Sequence, residues 1–130
     1  MLWNHRWEYD KNPDEFFEAL RIIASLGYDF EVAILGESFD VIPDVFLRAR
    51  EELGQRIVKY GYAEDRTEYA RWLRRADLLP VTSNQDFFGS SVIEAVFCDC
   101  FPLLPRRLAF PELFPTDVRS TGAGVTYNFG

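Results

Sequence analysis

Apolar positions change their spacing along the chain, and the changes recur in a fixed order. Met1-Leu2-Trp3 is a short apolar run that reads as a first strand. After a polar, aromatic-rich loop from Asn4 to Lys11, Phe16, Phe17, Leu20, Ile23 and Ala24 follow at helical spacing. Asn12 is the expected cap of that helix, Pro13 its first residue and Gly27 its stop. Phe30 to Leu35 is a second strand ended by Gly36. Val45, Phe46, Ala49 and Leu53 then form a helical stripe closed by Gly54. Arg56 to Tyr60 is a third strand, stopped by Gly61. Asp65-Arg66-Thr67-Glu68 is a capping box heading a helix with Tyr69, Ala70, Trp72, Leu73 and Ala76 turned inward. Leu78 to Thr82 is a fourth strand, Val92, Ile93, Ala95 and Val96 mark a fourth helix, and Phe101 to Leu104 make a fifth strand.

Short strands alternating with helices mean βαβ units, so the predicted fold class is α/β: a doubly wound, Rossmann-like parallel sheet covered on both faces. Right-handed crossovers and the usual doubly wound order put the first and fourth strands side by side. Ligands of such sheets bind at the strands' carboxyl ends, where the winding reverses. The loops Asn4 to Lys11 and Ser83 to Ser91 are therefore expected to flank one pocket. Pro80 stands against this scheme, because proline in a central strand removes a ladder donor; a bulge or an early strand end would accommodate it. Residues 1–115 are read as one domain and residues 116–130 as an atypical tail. In that tail Thr121-Gly122-Ala123-Gly124 reads as a turn and Val125 to Phe129 as an added edge strand or a frayed end. The abrupt start at a strand and the irregular tail both read as a piece of something longer.

Composition narrows the function classes. With 48% apolar and 16% aromatic residues, 130 residues suffice for one well-buried core. A formal net charge of -7 argues against a sequence-independent grip on nucleic acid, which needs a cationic face. Arg71, Arg74 and Arg75 read as a solvated helix face. No apolar run is long enough to span a bilayer and no secretion-signal pattern opens the chain, so a cytoplasmic location away from membranes is expected. Cys98 and Cys100 are too close for an easy mutual disulfide, and no further Cys or paired His completes a metal set. Reduced, packed thiols and no metal are the expectation.

The chemistry concentrates in Asp86-Phe87-Phe88-Gly89-Ser90-Ser91-Val92-Ile93-Glu94. Two carboxylates bracket a glycine and two serines where a helix begins. Backbone N–H groups and the positive end of the helix dipole favour a phosphate there, and the acids can accept hydrogen bonds from sugar hydroxyls. Together these point to a nucleotide sugar. Ser91 to Glu94 also fits a capping box, in which Glu94 serves only the helix. In the opposite loop Arg6 and Lys11 can meet phosphate, or pair with Glu8 and Asp10 in a surface arrangement worth little. Trp3 and Trp7 read as packing residues, and His5 as structural before it reads as a ligand contact.

These residues resemble the C-terminal half of retaining, GT-B type glycosyltransferases of family 4. That family's acid-x7-Glu pattern with Phe-Gly is matched by Asp86 to Glu94 with Phe88-Gly89, with Asp where Glu is usual. Its Arg and Lys after the first strand are matched by Arg6 and Lys11, and its Gly-x-Pro segment by Cys100-Phe101-Pro102-Leu103-Leu104-Pro105, with Cys for Gly. More narrowly, Leu2 to Pro13, Ile34-Leu35-Gly36-Glu37-Ser38-Phe39 and Phe101 to Pro105 are similar to the tRNA-queuosine α-mannosyltransferase family. The resemblance implies a donor-binding domain for GDP-mannose, with no cofactor and no metal, inactive without an N-terminal GT-B half that supplies the acceptor site. A tRNA would be reached only through the full-length enzyme. It implies pyrophosphate contacts for Arg6, Lys11, Ser90 and Ser91, and hexose contacts for Asp86 and the Phe87, Phe88 and Gly89 backbone. Glu94 would hold the ribose, Gly61 and Tyr62 the base, and Asn4 would line the donor site.

Two other classes compete. A phosphoryl-receiver module needs an acidic cluster after the first strand, where Asn4-His5-Arg6 stand instead. A non-catalytic Rossmann-like interaction or nucleotide-binding domain is kept open by the Asp86 departure and is separated by calorimetry with GDP-mannose.

Overall fold

The computed structural model describes residues 1–36, 42–83, 90–105 and 125–127. Strands and helices alternate as the periodicity predicts: β1 (Leu2–Trp3), α1 (Pro13–Ser25), β2 (Val32–Leu35), α2 (Asp44–Leu53), β3 (Ile57–Gly61), α3 (Arg66–Arg75), β4 (Leu78–Pro80), α4 (Ser90–Phe97), β5 (Phe101–Pro105) and β6 (Val125–Tyr127). Short 3-10 turns at Tyr9–Lys11 and Gly54–Arg56 lead into α1 and β3. All paired strands are parallel. They form two ladders, β1-β2-β3 and β4-β5-β6, and β1 lies against β4 where the ladders meet. This is the doubly wound arrangement, with the reversal of winding between β1 and β4.

Pleating sends alternate residues of one strand to opposite faces. In β2, Val32 and Ile34 pack with Trp3 against Phe16, Phe17 and Leu20 of α1 and Val45, Phe46 and Ala49 of α2. Ala33 and Leu35 pack with Leu2 against Leu73 of α3 and Val92 and Ala95 of α4. Val32 to Leu35 are buried throughout, as expected of a parallel strand covered on both sides.

The structure departs from the sequence reading at particular ends. β2 begins at Val32 rather than Phe30. Asn12 does not cap α1 with its side chain: its backbone is left-handed (φ 54, ψ 56), a conformation Asn tolerates, and its N–H closes the preceding 3-10 turn on Tyr9 O. β4 stops at Pro80 instead of reaching Thr82, which resolves the tension that proline raises. Pro80 is in register with Leu103 of β5, but the bonds to β5 are made by its neighbours, Val81 N–H donating to Leu103 O at 2.8 Å, so the missing donor of Pro80 points away from that ladder. The capping aspartate of α3 behaves as expected, accepting from Glu68 N–H at 2.8 Å. Glu68 reaches back one residue further than a capping box requires, to Glu64 N–H. Cys98 and Cys100 are free thiols, and burial pushes the Cys100 thiol up to about 11. Among the described residues, no helix is long and apolar enough to cross a membrane.

Candidate functional site

The loop after β1 is fastened at both edges of the sheet's centre. Trp3 Nε1–H donates to His5 O at 3.0 Å, and Trp7 Nε1–H donates to Leu35 O at the end of β2. Trp7 also stacks on Phe46, with ring centroids 4.6 Å apart and planes 7° from parallel. Both tryptophans are buried, which makes them packing residues. At the loop's far end Thr82 Oγ1–H is shared between Lys11 O and Asn12 O at 3.0 and 2.9 Å, tying it to the end of β4.

The same loop reaches the first turn of α4. Asn4 Nδ2 donates to Ser91 O at 2.8 Å, and His5 Nδ1 shares a hydrogen bond with Ser91 Oγ at 2.8 Å. Residues 86 or so positions apart in sequence are thereby brought together at the carboxyl ends of β1 and β4. Because α4 already begins at Ser90, Ser91 lies inside the helix and is not its cap. The capping-box reading of Ser91 to Glu94 is overturned. Glu94 falls on the second turn rather than the first, and its Oε1 accepts from Tyr69 Oη–H at 3.3 Å. Tyr69 Oη in turn accepts from Asn4 Nδ2 at 3.2 Å. Burial, then the nearby Glu94 charge, push the Tyr69 phenol up to about 12.

Beside this junction lies a cavity of about 330 Å³ bounded by Gly36, Tyr62, Glu64, Arg66, Tyr69 and Glu94. Tyr62 stands exposed at its mouth, just past Gly61, whose φ of 123 ends β3 in a conformation suited to glycine. Gly36 is required at its own position: φ is 134, and a Cβ would overlap the His5 carbonyl oxygen. That glycine lets the ends of β1 and β2 approach closely.

Of the residues singled out in the sequence, the structure gathers Asn4, Ser91, Glu94 and Tyr62 around the junction and its cavity. Ser90 is exposed at the start of α4, and Arg6 is exposed next to buried His5. Lys11 is half-buried and pairs with Asp10 at 3.7 Å, the local partner considered from sequence. Asp86, Phe87, Phe88 and Gly89 lie outside the described residues. Three participants were missed. Tyr69 reads in the sequence as an inward packing position and Gly36 as a strand stop, while His5 reads as structural before ligand-contacting, with no partner named. A tyrosine on a buried stripe still needs a partner for its hydroxyl, which was the available signal for Tyr69.

The fold matches the C-terminal, Rossmann-like domain of a GT-B glycosyltransferase. In the same arrangement, the C-terminal domain of a glycosyl transferase group 1 family protein from Francisella tularensis superposes with a TM-score of 0.77 at 21% identity, covering 98% of this chain and 65% of that one. In sequence the chain is similar to the tRNA-queuosine alpha-mannosyltransferase of Drosophila melanogaster, to which it is 38% identical over 133 aligned residues. The match takes in 99% of this chain and 35% of the relative, so the chain spans about a third of the length of the curated relative it matches. No protein-family model matches the chain.

Proposed function

We propose that the chain is the donor-binding part of a retaining, cytosolic glycosyltransferase that takes mannose from GDP-mannose, with queuosine in tRNA as the acceptor of the longer enzyme. One observation carries this reading: the loop after β1 meets the first turn of α4 at the reversal of winding, beside a nucleoside-sized cavity walled by Glu94. In this reading Glu94 accepts hydrogen bonds from the ribose hydroxyls and Tyr62 lies against the base. A guanine presents two N–H donors on one edge, and the Glu64 carboxylate at the cavity wall supports that base over one presenting acceptors there. Arg6 and Lys11 meet the pyrophosphate together with the Ser90 and Ser91 end of α4. Asp86 and the Phe87 to Gly89 segment are assigned to the hexose.

The chemistry asked of these groups is electrostatic. As the sugar–phosphate bond breaks, negative charge builds on the departing diphosphate, and cations already in place stabilise that charge more than the ground state. Each charge-assisted hydrogen bond is worth about 1.5–3 kcal/mol. Acceptor binding belongs to the remainder of the longer enzyme, so the chain alone binds donor without turnover. Calorimetric titration of the folded chain with GDP and GDP-mannose tests the reading: saturable binding, weakened by Arg6→Ala with Lys11→Ala, is expected. A folded chain silent at millimolar nucleotide would refute it.

A further inference from the structure

We propose that Tyr69 is a positioning residue for nucleotide recognition, holding the Glu94 carboxylate toward the cavity through a relay that starts at Asn4. The inference deepens the donor-binding reading and rests on it, since it needs Glu94 to face a ribose.

The direction of the relay follows from its two ends. Asn4 Nδ2 has two hydrogens; one goes to Ser91 O at 2.8 Å and one to Tyr69 Oη at 3.2 Å. A reversed amide would set its oxygen against the Ser91 carbonyl, so the backbone of α4 determines which way Asn4 faces. A phenol oxygen that accepts from Asn4 has its own proton left to donate, and Glu94 Oε1 lies 3.3 Å away. The phenol stays protonated throughout the neutral range, with its pKa raised to about 12. Glu94 is half-buried on α4 and has three rotatable side-chain bonds; one fixed oxygen limits them and leaves the other for a hydroxyl. Tyr69 and Glu94 line the same cavity, from helices that follow different strands. The anchoring residue, Asn4, comes from the β1 loop and is only 7% exposed. The carboxylate's aim is thus tied to the closure of the two halves of the fold. A wrongly packed β1 loop would leave it unaimed.

The test compares GDP with dideoxy-GDP, which lacks both ribose hydroxyls, by calorimetry on the full chain. The wild type is expected to prefer GDP, and Tyr69→Phe to lose about fivefold of that preference while its affinity for dideoxy-GDP stays unchanged. A general folding defect would weaken both ligands together and leave the ratio intact. An unchanged ratio in folded Tyr69→Phe overturns the proposal while sparing the donor-binding reading. A wild type that binds both nucleotides equally overturns the ribose role of Glu94 and this inference with it. Should Tyr69→Phe fail to fold, the Tyr69 phenol is titrated by carbon NMR in the wild type and in Glu94→Gln. A raised wild-type midpoint that falls in Glu94→Gln supports the relay, and an ordinary tyrosine midpoint in the wild type overturns it.

Discussion

The two faces of the sheet solve different problems with the same alternating strand. One face is aromatic: Trp3, Trp7, Phe16, Phe17 and Phe46 meet edge-on or stacked, with ring centroids 4.6 to 6.2 Å apart. The other is aliphatic and lighter, built from Leu2, Ala33, Leu35, Leu73, Leu79, Val92 and Ala95, and it gives way to a polar relay at one end. Large rings pack densely and hold the backbone that bears them. Small aliphatic residues beneath α3 and α4 bring the helices close while leaving Tyr69 and Glu94 room at a cavity. The aromatic face secures the β1 loop, and the aliphatic face presents what that loop must meet. Rigidity and recognition are divided between the two sides of one sheet.

Breaking the aromatic side has the largest expected effect. Phe46→Ala removes a fully buried ring that touches Trp3, Trp7 and Phe17, and a loss of about 3–5 kcal/mol in urea unfolding is expected. Gly36→Ala comes next. The strain of a positive φ and the overlap with His5 O together cost on the order of 3 kcal/mol, and Trp7 fluorescence should report a displaced loop. Glu94→Gln sharpens the contrast from the other side, weakening GDP affinity by about 1.5–3 kcal/mol while the urea midpoint moves little. A Phe46→Ala protein that kept its stability, or a Glu94→Gln protein that lost its own, would erase the division drawn between the faces.

Alkaline pH probes the aliphatic side more gently. Tyr69 and Cys100 hold their protons more tightly when folded, at about 12 and about 11 against ordinary values of 10.0 and 9.0. Unfolding releases those protons once pH passes the ordinary values. Stability is therefore fully present below pH 9 and declines as pH climbs toward 12. Tyr69→Phe should flatten the upper part of that decline and leave the Cys100 part unchanged, as read from thermal midpoints across the range. The smallest effect is expected on the outside of the aromatic half. Arg21 bridges Glu18 and Glu52 in the open, and Arg21→Ala should cost no more than about 1 kcal/mol by denaturant titration.

Much of the architecture was legible because period-2 and period-3.6 patterns report burial directly, and glycines at Gly27, Gly54 and Gly61 punctuate them. The proximity of β1 and β4 followed from crossover handedness together with the usual doubly wound strand order, and with it the meeting of the loops that carry Asn4 and Ser91. Less legible were the exact ends of elements and the contacts set by atoms distant in sequence. Whether Asn12 caps α1 depends on the turn before it, and whether Ser91 caps α4 depends on where that helix starts. Tyr69 and Trp72 look alike on a helical stripe; only a carboxylate from α4 distinguishes the first.

The bond between Asn4 and Ser91 spans 87 positions, so the order of assembly matters. Until β4 and α4 have docked, Asn4 lacks its Ser91 and Tyr69–Glu94 surroundings, and the cavity walled by Gly36 and Glu94 is not closed. Contacts this remote in sequence carry a loop-closure cost that must be met before they stabilise the fold. A chain stalled before α4 forms would have much of its aromatic core without the Asn4–Ser91 bond, so that bond reports completed folding.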